Sequence, residues 1–411
     1  MVGGLSPHWA ATVVRVSRFF QRLFFVLAVA VFAVLGLGFT LGQFGWFGVH
    51  AGGEQDGAYD QMHVYAQVLK RIQSDYVTVP DVSKVTDGAL RGLLQSLDAD
   101  SSYLTPTEYK IYKDHPTTDI AQIGITVSKR SGYATVVSVL PDSPADTHLS
   151  DGDIIESIGP KSTRELSLAI IRIMLEGKPG SPVTMSVIRP RKEEPEKLTL
   201  TRAVTPLPTL DEQEYDNSSI LYLKPDALTP ARVDEIAAKL KAAKKNQKIL
   251  LDLRDCSHGS EQEGLRLANF FIQNGTMATL QGQKFPTQTF TADPAKFLTS
   301  ATLAVLVNRG TYGAAELTAD AIEGDHRGQI VGERTFGEGS VQKTIDLPDG
   351  GALLLTVAKY EGPDGKKIQD DAVTPTVEVD QNVENAFDIP TNTPKADEAL
   401  TKALQLLKGN S

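Results

Sequence analysis

The run LFFVLAVAVFAVLGLGFTL (Leu23–Leu41) constrains this chain more than any other stretch, because no charged residue interrupts it. As a helix, roughly 19 residues reach about 28 Å, close to the thickness of a bilayer's hydrocarbon layer. Arg15, Arg18 and Arg22 stand just before it, and basic flanks hold the preceding end in the cytoplasm. The pattern predicts a cytoplasmic basic segment over 1–22 and a single span of the inner membrane over 23–41. Everything after it then folds in the periplasm or outside the cell. The competing reading is a cleaved signal peptide, for which Val49 and Ala51 make a poor cleavage signature. The apolar run is long for that, and Trp46 and Phe47 read as interface anchors.

In a chain of 411 residues, the part beyond the span is long enough for two or three domains. The net charge is −10 without a sustained Lys/Arg stripe, which argues against nucleic acid as a partner. Cys256 is the only cysteine, so no intrachain disulfide forms. No paired Cys/His spacing points to a metal site, and nothing calls for a cofactor.

Residues 55–115 read as a helical segment. YDQMHVYAQVLKRIQSDYV places Met62, Tyr65, Val68, Leu69 and Ile72 at helical spacing, and GALRGLLQSLDADSSYL predicts a second helix. Over 116–204 the pattern changes. IGITVSKRSGYATVVSVL predicts two strands turning at Ser131–Gly132, and TRELSLAIIRIMLEG predicts a helix ending at Gly177. SPVTMSVIRP and KLTLTRAV alternate like strands, completing a small barrel-like module. Over 205–385 strands and helices alternate, which predicts α/β sheet layers with helical cover. The tail over 386–411 ends in an amphipathic helix, ADEALTKALQLLKG, suited to docking. The fold class is therefore mixed α/β.

Within the third segment, NRGTYGAAELTADAI (Asn308–Ile322) has the layout of a nucleophile turn: a buried strand, a tight turn, and a helix opening on small residues. Such chemistry wants Ser, Cys or Thr at the helix start, where this chain has Gly313.

Two resemblances bear on that substitution. The ordered set QIGI, SPA, DGDIIESIG and GKPG resembles a PDZ domain of the type found in bacterial periplasmic proteases. That implies binding of an extended peptide by strand addition, with loop amides capturing its terminal carboxylate. The implied site is Ala121, Gln122, Ile123 and Gly124, running into Ile125. Ala121 and Gln122 stand where relatives commonly carry two glycines.

The third segment resembles the carboxyl-terminal processing (tail-specific) serine peptidases through DLRD, NRG…E, VGERTFGEGSVQ and KYEGPDGKKIQDDAVTP, in that order. The resemblance implies a Ser at the helix-opening turn, a Lys base about twenty-five residues later, and a Gln four positions beyond that orients it. A Ser hydroxyl needs such a base, and a Lys serves once burial makes it neutral. In this chain the three roles fall on Gly313, Glu338 and Gln342. The implied oxyanion donors fall on Ala314 and on the turn after DLR, where His258 and Gly259 replace two glycines.

Ser340 and Lys343 are not an alternative pair, because strand alternation puts them on opposite faces. Thr311, Cys256 and His258 are the possible replacement groups. Glu338 as a base for water wants a second catalytic group. One reading is then a membrane-anchored, extracytoplasmic protein that binds protein carboxyl-terminal tails without cutting them. An active paralogue or a second copy of itself is a possible partner. The other reading is an active endopeptidase using replacement groups.

Overall fold

The structure is a computed structural model that describes residues 53–116, 120–130, 132–189, 192, 194–379 and 397–409. The expected span Leu23–Leu41 lies outside them, and among the described residues no helix is long and apolar enough to cross a membrane. The chain divides into two compact units, Met1–Val85 and Thr86–Ser411. In the first, helix α1 (Gly53–Asp75) carries Tyr59, Met62, Tyr65 and Val68 exposed.

Helix α2 (Val82–Gln95) stops well short of the stretch read as helical. Asp98 is the reason: its Oδ1 accepts from the amides of Asp100 and Ser101 at 3.0 and 2.6 Å, turning the chain out of the helix. Ser102–Leu104 then forms strand β1, buried at all three positions and paired antiparallel with residues 352–354. In helix α3 (Pro106–Asp114), Thr105 and Glu108 cap reciprocally.

The next module holds β2 (Ile125–Arg130), β3 (Tyr133–Val139), β4 (Ile154–Ile158), β5 (Lys161–Ser162), helix α4 (Leu168–Leu175), β6 (Pro182–Ile188) and β7 (Glu196–Thr201). The sheet runs β2-β3-β4-β6-β7 with β5 on β4, which leaves β2 with one unpaired edge. The expected helix from Thr163 onward is divided. Thr163 Oγ1 donates to the Ile155 carbonyl at 2.6 Å, holding Thr163–Glu165 in a 3-10 turn. Ser167 then caps α4 through the Ile170 amide. Leu168, Ile171 and Leu175 pack with Ile123, Ile125 and Val127 in one buried cluster.

The last module begins with β8 (Asp211–Tyr215), β9 (Ile220–Lys224), β10 (Ala227–Leu228), α5 (Pro230–Ala242), β11 (Lys248–Asp252), β12 (His258–Gly259) and α6 (Glu261–Asn269). It continues through β13 (Thr276–Gln281), β14 (Gln288–Thr291), β15 (Leu303–Val307), α7 (Ala314–Gly324) and β16 (Gln329–Gly332). It closes with β17 (Ser340–Asp346), β18 (Ala352–Glu361), α8 (Ile368–Asp371), β19 (Val377–Glu378) and α9 (Glu398–Lys408). The main sheet, β19-β16-β15-β11-β9-β8, is parallel except for its β8 edge. Parallel strands covered on both faces need continuous apolar runs, and LAVLV in β15 is buried at every position. Helices α5, α6 and α7 cover one face, and Ala399, Ala403 and Leu407 of α9 cover the other. A second, antiparallel sheet is built on β18.

Candidate functional site

Strand β15 delivers the chain into the turn 308–313 at the edge of an open cleft. Asn308 sets the turn: its Oδ1 accepts from the amides of Gly310 and Asp255, both at 3.0 Å. Thr311 is fully buried, and its Oγ1 accepts from the Asn308 amide and donates to the Leu253 carbonyl at 2.9 Å. A hydroxyl so engaged is a turn fastener, which removes Thr311 from the replacement nucleophiles. Gly313 ends the turn at φ 56°, ψ −110°. That is the sharp strand-to-helix geometry a nucleophile turn requires. A Cβ built there meets no heavy atom within 4 Å.

Glu316, three residues on, holds this turn against the loop 335–339. Its carboxylate accepts from the amides of Gly313 (3.0 Å), Gly337 (2.6 Å) and Glu338 (2.8 Å), and from the Thr335 hydroxyl. The side chain is fully buried, and burial pushes its carboxyl up to about 7 against the pull of those donors.

The same loop aims Glu338 into the cleft. Ser340 Oγ donates to Glu338 Oε1 at 3.0 Å, and Gln342 Nε2 donates to Ser340 Oγ at 2.6 Å. Glu338, which precedes β17, is thus linked through Ser340 to Gln342, across a register shift between Val341 and Gln342. Asp100, from the turn before β1, lines the same cleft as Glu338. Burial and then the Asp100 charge push Glu338 up to about 8. Burial also raises Asp100, opposed by Arg172 of α4, whose guanidinium stands 3.8 Å from Oδ1. Arg172 donates in addition to the Tyr312 hydroxyl at 3.2 Å. Two carboxyls, a phenol and a guanidinium from four separate segments therefore converge beside Gly313.

The turn after β11 forms the opposite wall. His258 and Gly259 line the cleft with Gly313, Ala314, Glu338 and Gln342. Gly259 sits at φ 148°, where a Cβ would meet the Leu228 carbonyl oxygen at 2.7 Å. Burial lowers the His258 imidazole. Cys256 does not reach the cleft. It is 1% exposed within the apolar core, and burial drives its thiol far above the usual range. A thiol neither ionised nor accessible makes a poor nucleophile, which corrects the expectation of a Cys256–His258 pair.

The cleft, of about 390 Å³, is continuous with the groove between β2 and α4, whose Ile123, Ile125, Val127 and Leu175 line the same cavity. Ser257 ties the two modules: its Oγ bonds Thr126 Oγ1 of β2 at 2.8 Å and Ser138 Oγ of β3 at 2.6 Å, and shares a hydrogen bond with His258 Nδ1 at 3.1 Å. The expected carboxylate loop narrows. The Ala121 amide donates to the Gly177 carbonyl and the Gln122 amide to the Ala203 carbonyl, at 2.9 and 3.1 Å. Those two donors are spent inside the chain. Gln122, Ile123 and Ile125 line the cavity, whereas Ala121 and Gly124 do not.

Residues 219–379 match the model of peptidase family S41, and residues 121–201 match that of a PDZ domain. The carboxy-terminal-processing protease of Bartonella bacilliformis is 28% identical over 335 residues, spanning 80% of this chain and 77% of its own. The carboxy-terminal processing protease CtpA of Bacillus subtilis is 27% identical over 369 residues, spanning 89% and 78%. Residues 219–379 are a peptidase family S41 domain. The solved photosystem II D1 C-terminal processing protease shares its fold, with a TM-score of 0.63 at 22% identity over 82% of this chain and 95% of that one.

The heavily bonded Glu316 is the acidic residue of the NRG…E motif, to which the sequence alone assigns no role. Its signal was present, since it stands at the N3 position of a helix that lacks a capping side chain. Asp100, Arg172 and Tyr312 carried no local signal, because only the tertiary fold brings them to Glu338.

Proposed function

We propose that this protein captures protein carboxyl-terminal tails in its PDZ groove and presents them to a cleft where serine–lysine acyl transfer does not operate. We propose also that Leu23–Leu41 tethers it to the cytoplasmic membrane with its main body outside the cytoplasm. The observation that carries the first part is the continuous cavity joining the β2 edge to Gly313 and Glu338. An unpaired strand edge accepts a peptide as an added strand, and the Ile123 amide is a donor left for the terminal carboxylate. At the far end, glycine offers no nucleophile and a carboxyl raised by burial is no substitute for a neutral amine. The uncharged span and its arginine flank support the tether.

The test is fluorescence anisotropy with an unstructured peptide ending in apolar residues, compared with its carboxyl-amidated form. The free acid should bind at least about tenfold more tightly, as loss of one charge-assisted contact predicts. Equal affinity for the two forms would remove tail capture. For the tether, deletion of residues 1–41 should move the protein from the membrane to the soluble fraction. A second reading, hydrolysis by replacement groups, is favoured by one observation, the Asp100 carboxyl beside Glu338.

A further inference from the structure

We infer that the cleft can hydrolyse a captured tail with water as the nucleophile, activated by the Asp100–Glu338 carboxyl pair. This rests on tail capture for delivery of the peptide, and differs from it in the fate of the bound chain. Glu338 alone wanted a second catalytic group, and the fold supplies one. Both carboxyl groups are acceptors unless one carries a proton. Among the described residues, the buried Asp100 Oδ2 has no hydrogen-bond partner. Two carboxyls facing one another in a desolvated cleft resist ionising together, so the pair holds one proton between them. One member is then a base while the other is an acid.

Position supports the same reading. The missing side chain of Gly313 leaves open space beside the pair, since a Cβ there would touch nothing within 4 Å. Water fits where a serine hydroxymethyl would stand, next to Glu338 and at the N-terminus of α7. There Ala314 and Gly259 line the same cavity. Ser340 and Gln342 orient Glu338 from β17. The other charged or titratable groups facing the pair are Arg172 from α4, Tyr312 from the nucleophile turn and Asp98 from the turn before β1. His258 and Glu261 lie further along the cavity wall.

The reaction balances without a further reagent. The ionised carboxyl takes a proton from water, and the water oxygen bonds to the peptide carbonyl carbon. The carbonyl oxygen takes the proton of the other carboxyl, giving a neutral diol. The first carboxyl then protonates the amide nitrogen as the C–N bond breaks with its electron pair going to nitrogen. The second recovers a proton from one diol hydroxyl as the new carboxylic acid forms. No acyl-enzyme arises, and the pair ends with its single proton.

The experiment uses the full-length chain in detergent and an unstructured peptide with a free apolar carboxyl terminus, with products read by mass spectrometry from pH 4 to 9. Cleavage should follow a bell-shaped pH profile, and added hydroxylamine should trap no hydroxamate. Asp100→Asn and Glu338→Gln should each lower the rate at least about 100-fold, with peptide affinity retained and with melting at pH 5 no lower than wild type. Gly313→Ala, which puts a methyl where water attacks, should lower the rate likewise, with a lower melting temperature because φ 56° strains an alanine. A bound but uncleaved peptide across the whole pH range would overturn the inference and leave tail capture standing. So would cleavage that survives in Asp100→Asn and Glu338→Gln proteins purified alike, or hydroxamate formation.

Discussion

Replacing Glu338 by Gln should make the protein more stable in alkaline solution, although it alters the centre of the cleft. In the folded chain, burial and the Asp100 charge raise this carboxyl from 4.5 to about 8. The folded state therefore keeps a proton that the unfolded chain has already released between those two values. Stability present below pH 4.5 is lost as pH rises toward 8, because unfolding then releases the proton and becomes easier. At about 1.4 kcal/mol per unit the full loss is about 5 kcal/mol, and access from the open cleft reduces it to about 2–3 kcal/mol. Glutamine matches the neutral carboxyl in shape. Its amide can donate to Asp100 while its oxygen accepts from Ser340, so the network survives without the buried charge. At roughly 2–4 °C per kcal/mol for a large domain, the variant should melt about 4–12 °C above wild type at pH 9 and level with it at pH 5. Calorimetry at the two pH values decides it. A variant equally or less stable than wild type at pH 9 would refute the reasoning, because Glu338 would then be comfortable as an anion.

Three further substitutions probe the scaffold. Glu316→Ala orphans the amides of Gly313, Gly337 and Glu338 and should cost about 3–6 kcal/mol at pH 5. The deficit should shrink between pH 4.5 and about 7 and level off above, because wild type itself loses stability over that range; a penalty independent of pH would contradict this. Ser257→Ala breaks the hydroxyl link to Thr126 and Ser138, so hydrogen exchange should accelerate in β2 and β3 while β11 and β15 stay protected. Gly259→Ala forces a methyl to 2.7 Å from the Leu228 carbonyl oxygen at φ 148°. Melting should show a loss of about 1–3 kcal/mol, and an unchanged midpoint would mean that β12 is not held against β10 as described.

Much of the fold was legible because its signals are local. LAVLV reads as a buried strand from five consecutive apolar residues, and α9 reads as a docking helix from the spacing of Ala399, Ala403 and Leu407. The readings that missed were also decided locally, by side chains acting on backbone. Asp98 ended the run taken for a helix, and Thr163 broke the start of another. Hydrophobic periodicity carries no information about such hydrogen bonds. The cleft divides in the same way. Gly313, Glu338 and Gln342 lie on two neighbouring segments, and the resemblance to the tail-specific peptidases places them through its motifs. Asp100 and Arg172 could not, because they arrive from before β1 and from the PDZ helix, and only packing sets them beside Glu338. Their arrival changes what Glu338 means. Read alone it is an anion where a base should be, and a cleft with its chemistry removed. Read with Asp100 it is half of a pair that holds one proton. The charge that seemed to disable the cleft becomes the feature on which its remaining reactivity turns.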